Sequence, residues 1–243
     1  MTAFITGDCG CVHVNMEYRR MGAGGGLDDT KAPYLQMLDD IQSAIEYLQS
    51  HAATYHIDAS KIALMGWSAG GHLALLYAYM AKQGNYNYGD NIQLVISEAG
   101  PTDFTGEDFE KLPYGAKAPV LKLVNYNTAL LPDASPITYA SANSPYTILM
   151  YGGTDTNNDN IIDEGSNDSI VAYSQGEDLH KRLSPEGQTV NSTLFLFEYP
   201  YVHGSFEADK DINGDNIDDP FINSSNSNFA GYYRMMENKL KNL

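Results

Sequence analysis

The chain has 243 residues, with 14 basic and 31 acidic side chains that give a formal net charge of −17. Hydrophobic residues make up 43% of it, enough for one sizeable core. So negative a surface repels nucleic acid and anionic membranes, and we expect neither as a partner. No apolar run has transmembrane length, and residues 1–15 show no signal peptide. We therefore expect a soluble chain, cytoplasmic or, if its N-terminus is truncated, secreted.

Short apolar runs alternate with helical patterns along the sequence. The predicted strands are Val12–Met16, Ile62–Met65, Ile92–Ser97, Thr147–Tyr151 and Leu194–Tyr199. The predicted helices cover residues 34–52, 69–83, 170–183 and 228–241. This alternation predicts the α/β class, with a doubly wound, mostly parallel sheet and helices on both faces. No linker interrupts it, so we expect a single domain over residues 1–243.

Three segments interrupt this alternation. Residues 101–145 are rich in proline and aromatic residues, and we predict that they form a lid insertion over the strand ends. Residues 155–168 and 207–222 are acidic, and we predict that they are loop insertions.

The segment Gly66-Trp67-Ser68-Ala69-Gly70 joins an apolar strand directly to a helix. A serine on so sharp a turn has strained backbone geometry, and glycines two residues away on either side relieve crowding. Its hydroxyl lies at a helix N-terminus, which favours developing negative charge. A plain N-cap serine would fit the five residues alone. The flanking strand and helix favour a nucleophile elbow, with Ser68 as the nucleophile.

With Gly71-His72-Leu73-Ala74 added, this segment resembles the Gly-x-Ser-Ala-Gly-Gly-His-Leu-Ala segment of α/β-hydrolase serine esterases. The resemblance is nearest to the acetyl-xylan/feruloyl-esterase-like and hormone-sensitive-lipase-like branch. It continues, in the same order, at residues 12–19, 39–48, 55–62, 134–139 and 144–153. It implies an α/β-hydrolase fold and hydrolysis of short-chain acyl esters, including acetyl or feruloyl esters of carbohydrate.

The start of the chain departs from that family, in which a His-Gly-Gly loop precedes the Tyr-Arg strand and supplies oxyanion N–H groups. Here Met1 lies seventeen residues before Tyr18, and the sequence has no His-Gly-Gly. Either the polypeptide is truncated or its oxyanion hole is built differently. Ala69 N–H is one expected oxyanion donor, and the loop Gly22–Gly26 is a weaker candidate for others. The first strands would also be absent, leaving about five and an exposed sheet edge through which a homo-oligomer could form.

The general base is predicted to be His203. It alone of the six histidines follows a late strand in the order Ser…Asp…His. His72 and His180 lie in helices and are predicted to be structural. Two residues compete for the triad acid. Asp155 comes just after a strand, whereas Asp168 lies within residues 165–175, which resemble the family's acid-to-helix segment.

The two acidic loops have the spacing of calcium loops, with ligands at positions 1, 3, 5, 7 and 9. Both lack the glutamate at position 12, having Ser166 and Ile222 there. A solvated acidic loop is the alternative, but two similar copies favour structural Ca²⁺, with no cofactor needed for chemistry. If Asp155 is a ligand, Asp168 becomes the acid, which is the assignment we prefer. The predicted ligands are Asp155, Asn157, Asp159, Ile161 and Asp163 in one loop and Asp211, Asn213, Asp215, Ile217 and Asp219 in the other.

Together these patterns predict a serine carboxylesterase with Ser68 as nucleophile, His203 as base and Asp168 or Asp155 as acid. The expected substrate is a small-molecule or carbohydrate ester. Two alternatives stay open: a serine peptidase of the same fold, and a catalytically weak, calcium-stabilised binding domain.

Overall fold

The structure is a computed structural model that describes residues 10–22, 24–84, 91–112, 114–152, 168, 170–186, 189–197 and 227–243. Its sheet has four parallel strands in the order β1-β2-β3-β4. The strands are β1 (Ile62–Trp67), β2 (Ile92–Glu98), β3 (Tyr146–Gly152) and β4 (Ser192–Phe197). Because all four run the same way, the connection after each strand leaves from the same, carboxyl edge of the sheet.

Seven α-helices lie in the described ranges. They are α1 (Pro33–Ser50), α2 (Ala52–Tyr55), α3 (Ala69–Gln83), α4 (Glu107–Lys111), α5 (Tyr114–Leu123), α6 (Tyr173–Leu183) and α7 (Ser227–Lys241). In these ranges no helix has both the length and the hydropathy needed to cross a bilayer. The predicted α/β class with a parallel sheet is confirmed.

Helix α3 is the most enclosed of the described helices. All eleven residues from Gly71 to Ala81 are buried, which is typical of a helix covered on every side. It ends at Gly84, whose φ of 66° lies in the left-handed region that favours glycine at a helix C-terminus. Helix α1 packs beside it and begins with Pro33, a favoured first residue because its missing N–H would be unsatisfied there.

The opposite face of the sheet has a smaller core. Leu94 and Ile96 of β2, together with Ile148 and Met150 of β3, pack there against Met236 and Leu240 of α7. The sheet is therefore covered on both faces, as predicted.

The predicted first strand is wrong. Residues 10–19 contain no strand, and the described sheet has four strands rather than about five. Among the described residues no strand pairs with β1 on the side away from β2. Val14 and Met16 of the predicted strand line a cavity of about 360 Å³ together with Leu64 and Met65 of β1. An apolar run with the composition of a strand forms no strand unless another strand lies close enough for backbone hydrogen bonds.

The Tyr-Arg segment is tied to α1 by a polar network. The Arg19 guanidinium binds the Asp40 carboxylate, with Nε 3.0 Å from each carboxylate oxygen. It also donates to the side chain and the carbonyl of Gln36. Gln36 is buried and donates to the carbonyls of Asp28 and Lys31, so its amide fixes the loop that enters α1.

The segment predicted to be a lid connects β2 to β3. It contains α4, α5 and two short 3₁₀ turns, Thr128–Leu130 and Pro136–Thr138. Its role as a lid stays a prediction.

Candidate active site

Ser68 stands between the end of β1 and the start of α3, with φ 51° and ψ −117°. A left-handed φ is uncommon for a residue with a side chain, because it strains the backbone. Such strained residues occur mainly at functional sites. The Ser68 N–H donates to the Glu98 carbonyl at 2.7 Å, which fastens this turn to the end of β2. The geometry is that of a nucleophile elbow.

The two glycines of the elbow are not equivalent. A Cβ on Gly66 would lie 2.2 Å from the carbonyl carbon of Gly70, a distance that real Cβ atoms do not show. A Cβ on Gly70 would meet nothing within 4 Å. The expectation that both glycines relieve crowding is therefore correct for Gly66 and wrong for Gly70.

A second close contact, which the sequence did not reveal, holds the start of α3. A Cβ on Gly71 would lie 2.7 Å from Ser97 Oγ, and a Cβ on Gly100 would lie 2.4 Å from the same atom. The first turn of α3 thus packs directly on the connection that follows β2. The double glycine after the elbow was a signal for this contact, but its partner, Gly100, lies 29 positions further along the chain.

Ala69 is the first residue of α3. Because the first N–H groups of a helix have no acceptor within the helix, the Ala69 N–H is suited to bind a developing oxyanion. The Gly22–Gly26 loop is less suited. Its Gly25 N–H already donates to the Gly22 carbonyl at 3.1 Å, and its Gly25 carbonyl accepts from the Arg20 N–H at 2.9 Å.

His72 lies one helical turn beyond the nucleophile and is buried. Its Nε2 lies 2.7 Å from the Ala134 carbonyl, so Nε2 carries the hydrogen. Its ring lies against Phe104, with the centroids 5.0 Å apart. Burial lowers the pKa of His72 to about 4, so the ring is neutral at pH 7. His72 joins α3 to the β2–β3 connection.

Asp168 lies between β3 and α6 and is buried. Its Oδ1 accepts from the N–H groups of Ile170, at 2.8 Å, and Val171, at 3.2 Å. These bonds fix the orientation of the carboxylate. Like Ser68, Asp168 belongs to a connection that leaves from the carboxyl ends of the strands.

The remaining predicted site residues lie outside the described residues. They are His203 and the loop residues Asp155, Asn157, Asp159, Ile161, Asp163, Asp211, Asn213, Asp215, Ile217 and Asp219. Within the described ranges, no group of three or more histidine, cysteine and acidic side chains could hold a metal ion.

Glu98 is a further residue of this region that the sequence did not single out. Its carbonyl holds the Ser68 N–H, and its side chain is buried and lines the cavity beside β1. Trp67, the residue before the nucleophile, lines the same cavity, although 44% of its surface is exposed.

The sequence is similar to that of a probable ester hydrolase. Over 177 residues, 69% of the chain, the sequence is 29% identical to a protein of Mycobacterium tuberculosis named "Probable carboxylic ester hydrolase LipM". The match covers 37% of that protein's length.

Solved esterases share the fold. A carboxyl esterase 2 from the mycorrhizal fungus Tuber melanosporum is 17% identical and superposes with a TM-score of 0.64, covering 99% of this chain and 70% of that one. An acetyl ester-xyloside bifunctional hydrolase from Caldicellulosiruptor lactoaceticus is 18% identical, with a TM-score of 0.59 and coverage of 89% and 68%. The fold is that of the α/β-hydrolase esterases. The BD-FAE family model matches residues 4–183, and the chain belongs to that family.

Proposed function

We propose that this chain is a serine carboxylesterase that hydrolyses short-chain acyl esters. The observation that carries the proposal is the geometry of Ser68, a strained serine at the N-terminus of α3 whose own N–H is held by the Glu98 carbonyl. Two comparisons support the proposal: membership of the BD-FAE family and similarity to a probable carboxylic ester hydrolase.

In the proposed mechanism, Ser68 Oγ attacks the ester carbonyl while His203 takes its proton. The Ala69 N–H binds the oxyanion, and His203 then returns the proton to the departing alcohol. His203 then takes a proton from a water molecule, which attacks the acyl-enzyme. The carboxylic acid product leaves, and the proton returns to Ser68 Oγ. One oxyanion donor is typically worth about 10²–10³ in rate, so a second donor would add greatly to activity.

We assign the triad acid to Asp168 rather than Asp155. Two backbone N–H groups hold Asp168 Oδ1, so the carboxylate is already oriented before it meets an imidazole. In the proposal, the carboxylate accepts a hydrogen bond from His203 Nδ1–H and stabilises the imidazolium that forms.

An ester of a neutral alcohol, such as an acetylated or feruloylated sugar, fits the charge of −17 better than an anionic ester does. The structural neighbour from Caldicellulosiruptor lactoaceticus is named for an acetyl ester-xyloside activity. We therefore propose carbohydrate esters as the substrate class.

We also propose that Ca²⁺ binds the two acidic loops and keeps the acid and base in register. Melting temperature and esterase rate should then fall together on chelation and recover with Ca²⁺ but not with Mg²⁺, which prefers tighter octahedral geometry. Chelation without effect on either quantity would leave these loops as solvated surface.

We propose that the chain self-associates through the side of β1 with which no described strand pairs. Val14, which shares a cavity with residues of β1, exposes 46% of its surface, and nearby in the sequence Val12 exposes 57%. Light scattering should show a dimer that Val14→Lys disrupts, because a charged side chain in this exposed apolar segment would oppose its burial between two chains. A monomer at every concentration would contradict this proposal.

One observation favours a catalytically weak binding domain as a second candidate: the Gly25 N–H of the candidate oxyanion loop is already bound within the loop. An organophosphonate and p-nitrophenyl acetate separate the two. An esterase should gain one adduct on Ser68 and hydrolyse the ester, and Ser68→Ala should do neither. Ser43→Ala, an exposed serine on α1, is the control and should behave like the wild type. An adduct on another serine, or none, would reject the elbow assignment.

A further inference from the structure

Three aromatic residues form a partly exposed row that runs from the end of α1, through the junction residue His51, to α2. Tyr47, His51 and Tyr55, which we call the aromatic row, are spaced four residues apart across the junction of α1 and α2, and their rings contact one another. Tyr47 and Tyr55 expose 52% and 41% of their surface. Single exposed aromatic residues are common on protein surfaces, but a contiguous patch of them is typical of an interaction surface.

The rings of the row hold one another in place. The Tyr47 and His51 rings stack with their centroids 4.2 Å apart, and the Tyr47 and Tyr55 hydroxyls lie 3.2 Å from each other. His51 Nδ1 lies 2.8 Å from the Tyr47 carbonyl oxygen and donates a hydrogen bond to it. A ligand would meet a surface that is already ordered, which reduces the entropy lost on binding.

The chemistry of the row narrows its partner. Three side chains offer far less than the roughly 800 Å² per partner of a stable protein interface. The net charge of −17 opposes polyanions. Aromatic faces with hydroxyls and a ring nitrogen at their edges suit a ligand with C–H faces and many hydroxyl groups. A neutral sugar chain has both.

The position of the row separates it from the nucleophile. The row lies just before the amino end of β1, whereas Ser68 follows the carboxyl end of the same six-residue strand. Such a strand is about 20 Å long. A small ester bound at Ser68 would not reach the row, but a polymer could contact both places.

We propose that the aromatic row binds a neutral carbohydrate chain outside the active site and holds the polymer on the enzyme. This inference rests on the proposed action on carbohydrate esters. The row would raise the local concentration of polymeric substrate and leave the chemistry of small esters unchanged.

The test is native gel electrophoresis in soluble xylan that carries no ester groups, so that binding is read without turnover. Xylan should retard the wild type, and Tyr47→Ala/Tyr55→Ala should bind about tenfold more weakly, since two stacking rings are lost. The double phenylalanine variant keeps both rings and should retain most of the binding. Tyr114→Ala, which removes a tyrosine 72% exposed on α5, is the matched control and should bind like the wild type.

Hydrolysis of p-nitrophenyl acetate by the same variants keeps the two proposals distinguishable. Equal rates in the wild type and the double alanine variant, with xylan binding lost only in the latter, support the row. If xylan fails to retard the wild type, or retards the double alanine variant equally, the row is not a carbohydrate site. Equal retardation of the wild type by anionic polygalacturonate would also overturn the inference. Xylan binding without ester hydrolysis would reject the esterase proposal and keep the row.

Discussion

Replacing His72 by glutamine should remove a large part of the acid sensitivity of the fold. The folded protein holds His72 as a neutral donor to the Ala134 carbonyl, and burial lowers its pKa to about 4. In the unfolded chain the same ring has its ordinary pKa of about 6.5. Between these two values the unfolded state binds the extra proton, so stability is fully present above about pH 6.5 and is lost as the pH falls.

The size of this effect follows from the shift. Each pH unit between the two pKa values costs about 1.4 kcal/mol, so about 2 kcal/mol is lost by pH 5 and about 3 kcal/mol by pH 4. His72→Gln keeps a donor to the Ala134 carbonyl but cannot titrate. It loses ring packing on Phe104, for which we expect about 1–2 kcal/mol at every pH.

Urea unfolding followed by circular dichroism at pH 7, 6 and 5 measures the difference. The free energy of unfolding of the wild type should fall by about 2 kcal/mol more than that of His72→Gln between pH 7 and pH 5. His56→Asn replaces an exposed histidine with a residue that tolerates its left-handed φ of 54°, and it should follow the wild type. If the wild type and His72→Gln lose stability in parallel, the neutral buried imidazole is not the source of the pH dependence.

Three further predictions concern the elbow, the acid and the loop before α1. Gly71→Ala should destabilise the fold by about 1–3 kcal/mol because its Cβ meets Ser97 Oγ, whereas Gly70→Ala has open space and should be tolerated; thermal melts of the pair decide. Asp168→Asn should lower kcat about 10⁴-fold, and Asp155→Asn should mainly weaken calcium binding; the reverse result would give the triad role to Asp155. Gln36→Leu should cost about 1–3 kcal/mol, since it removes the amide that binds the loop carbonyls, and an unchanged melting temperature would contradict that role.

The sequence was informative where structure follows from neighbouring residues. The strand Ile62–Trp67, the turn at Ser68 and helix α3 are adjacent in the chain, and their pattern predicted both the elbow and its backbone strain. The order of strands and helices in the same way predicted the parallel sheet.

Prediction failed where the outcome depends on distant parts of the chain. Val12–Met16 has the composition of a strand, but strand formation requires a neighbour at ladder distance, which composition does not report. The contact of Gly71 with Ser97 and Gly100, and the hold of the Glu98 carbonyl on Ser68, likewise join residues about thirty positions apart. For the triad acid, the sequence left two candidates, Asp155 and Asp168. The backbone hydrogen bonds to Asp168 Oδ1 are a reason to prefer Asp168.

The enclosure of α3 has a consequence for how activity is lost. Amide hydrogen exchange shows that proteins open in cooperative units, and the elements buried on all sides open last. Ser68 begins the helix whose residues Gly71–Ala81 are all buried, so its turn should stay formed until the whole domain unfolds. Mild denaturant that abolishes the proposed esterase activity before global unfolding would then act on segments other than α3, and the amides of α3 should be among the slowest to exchange.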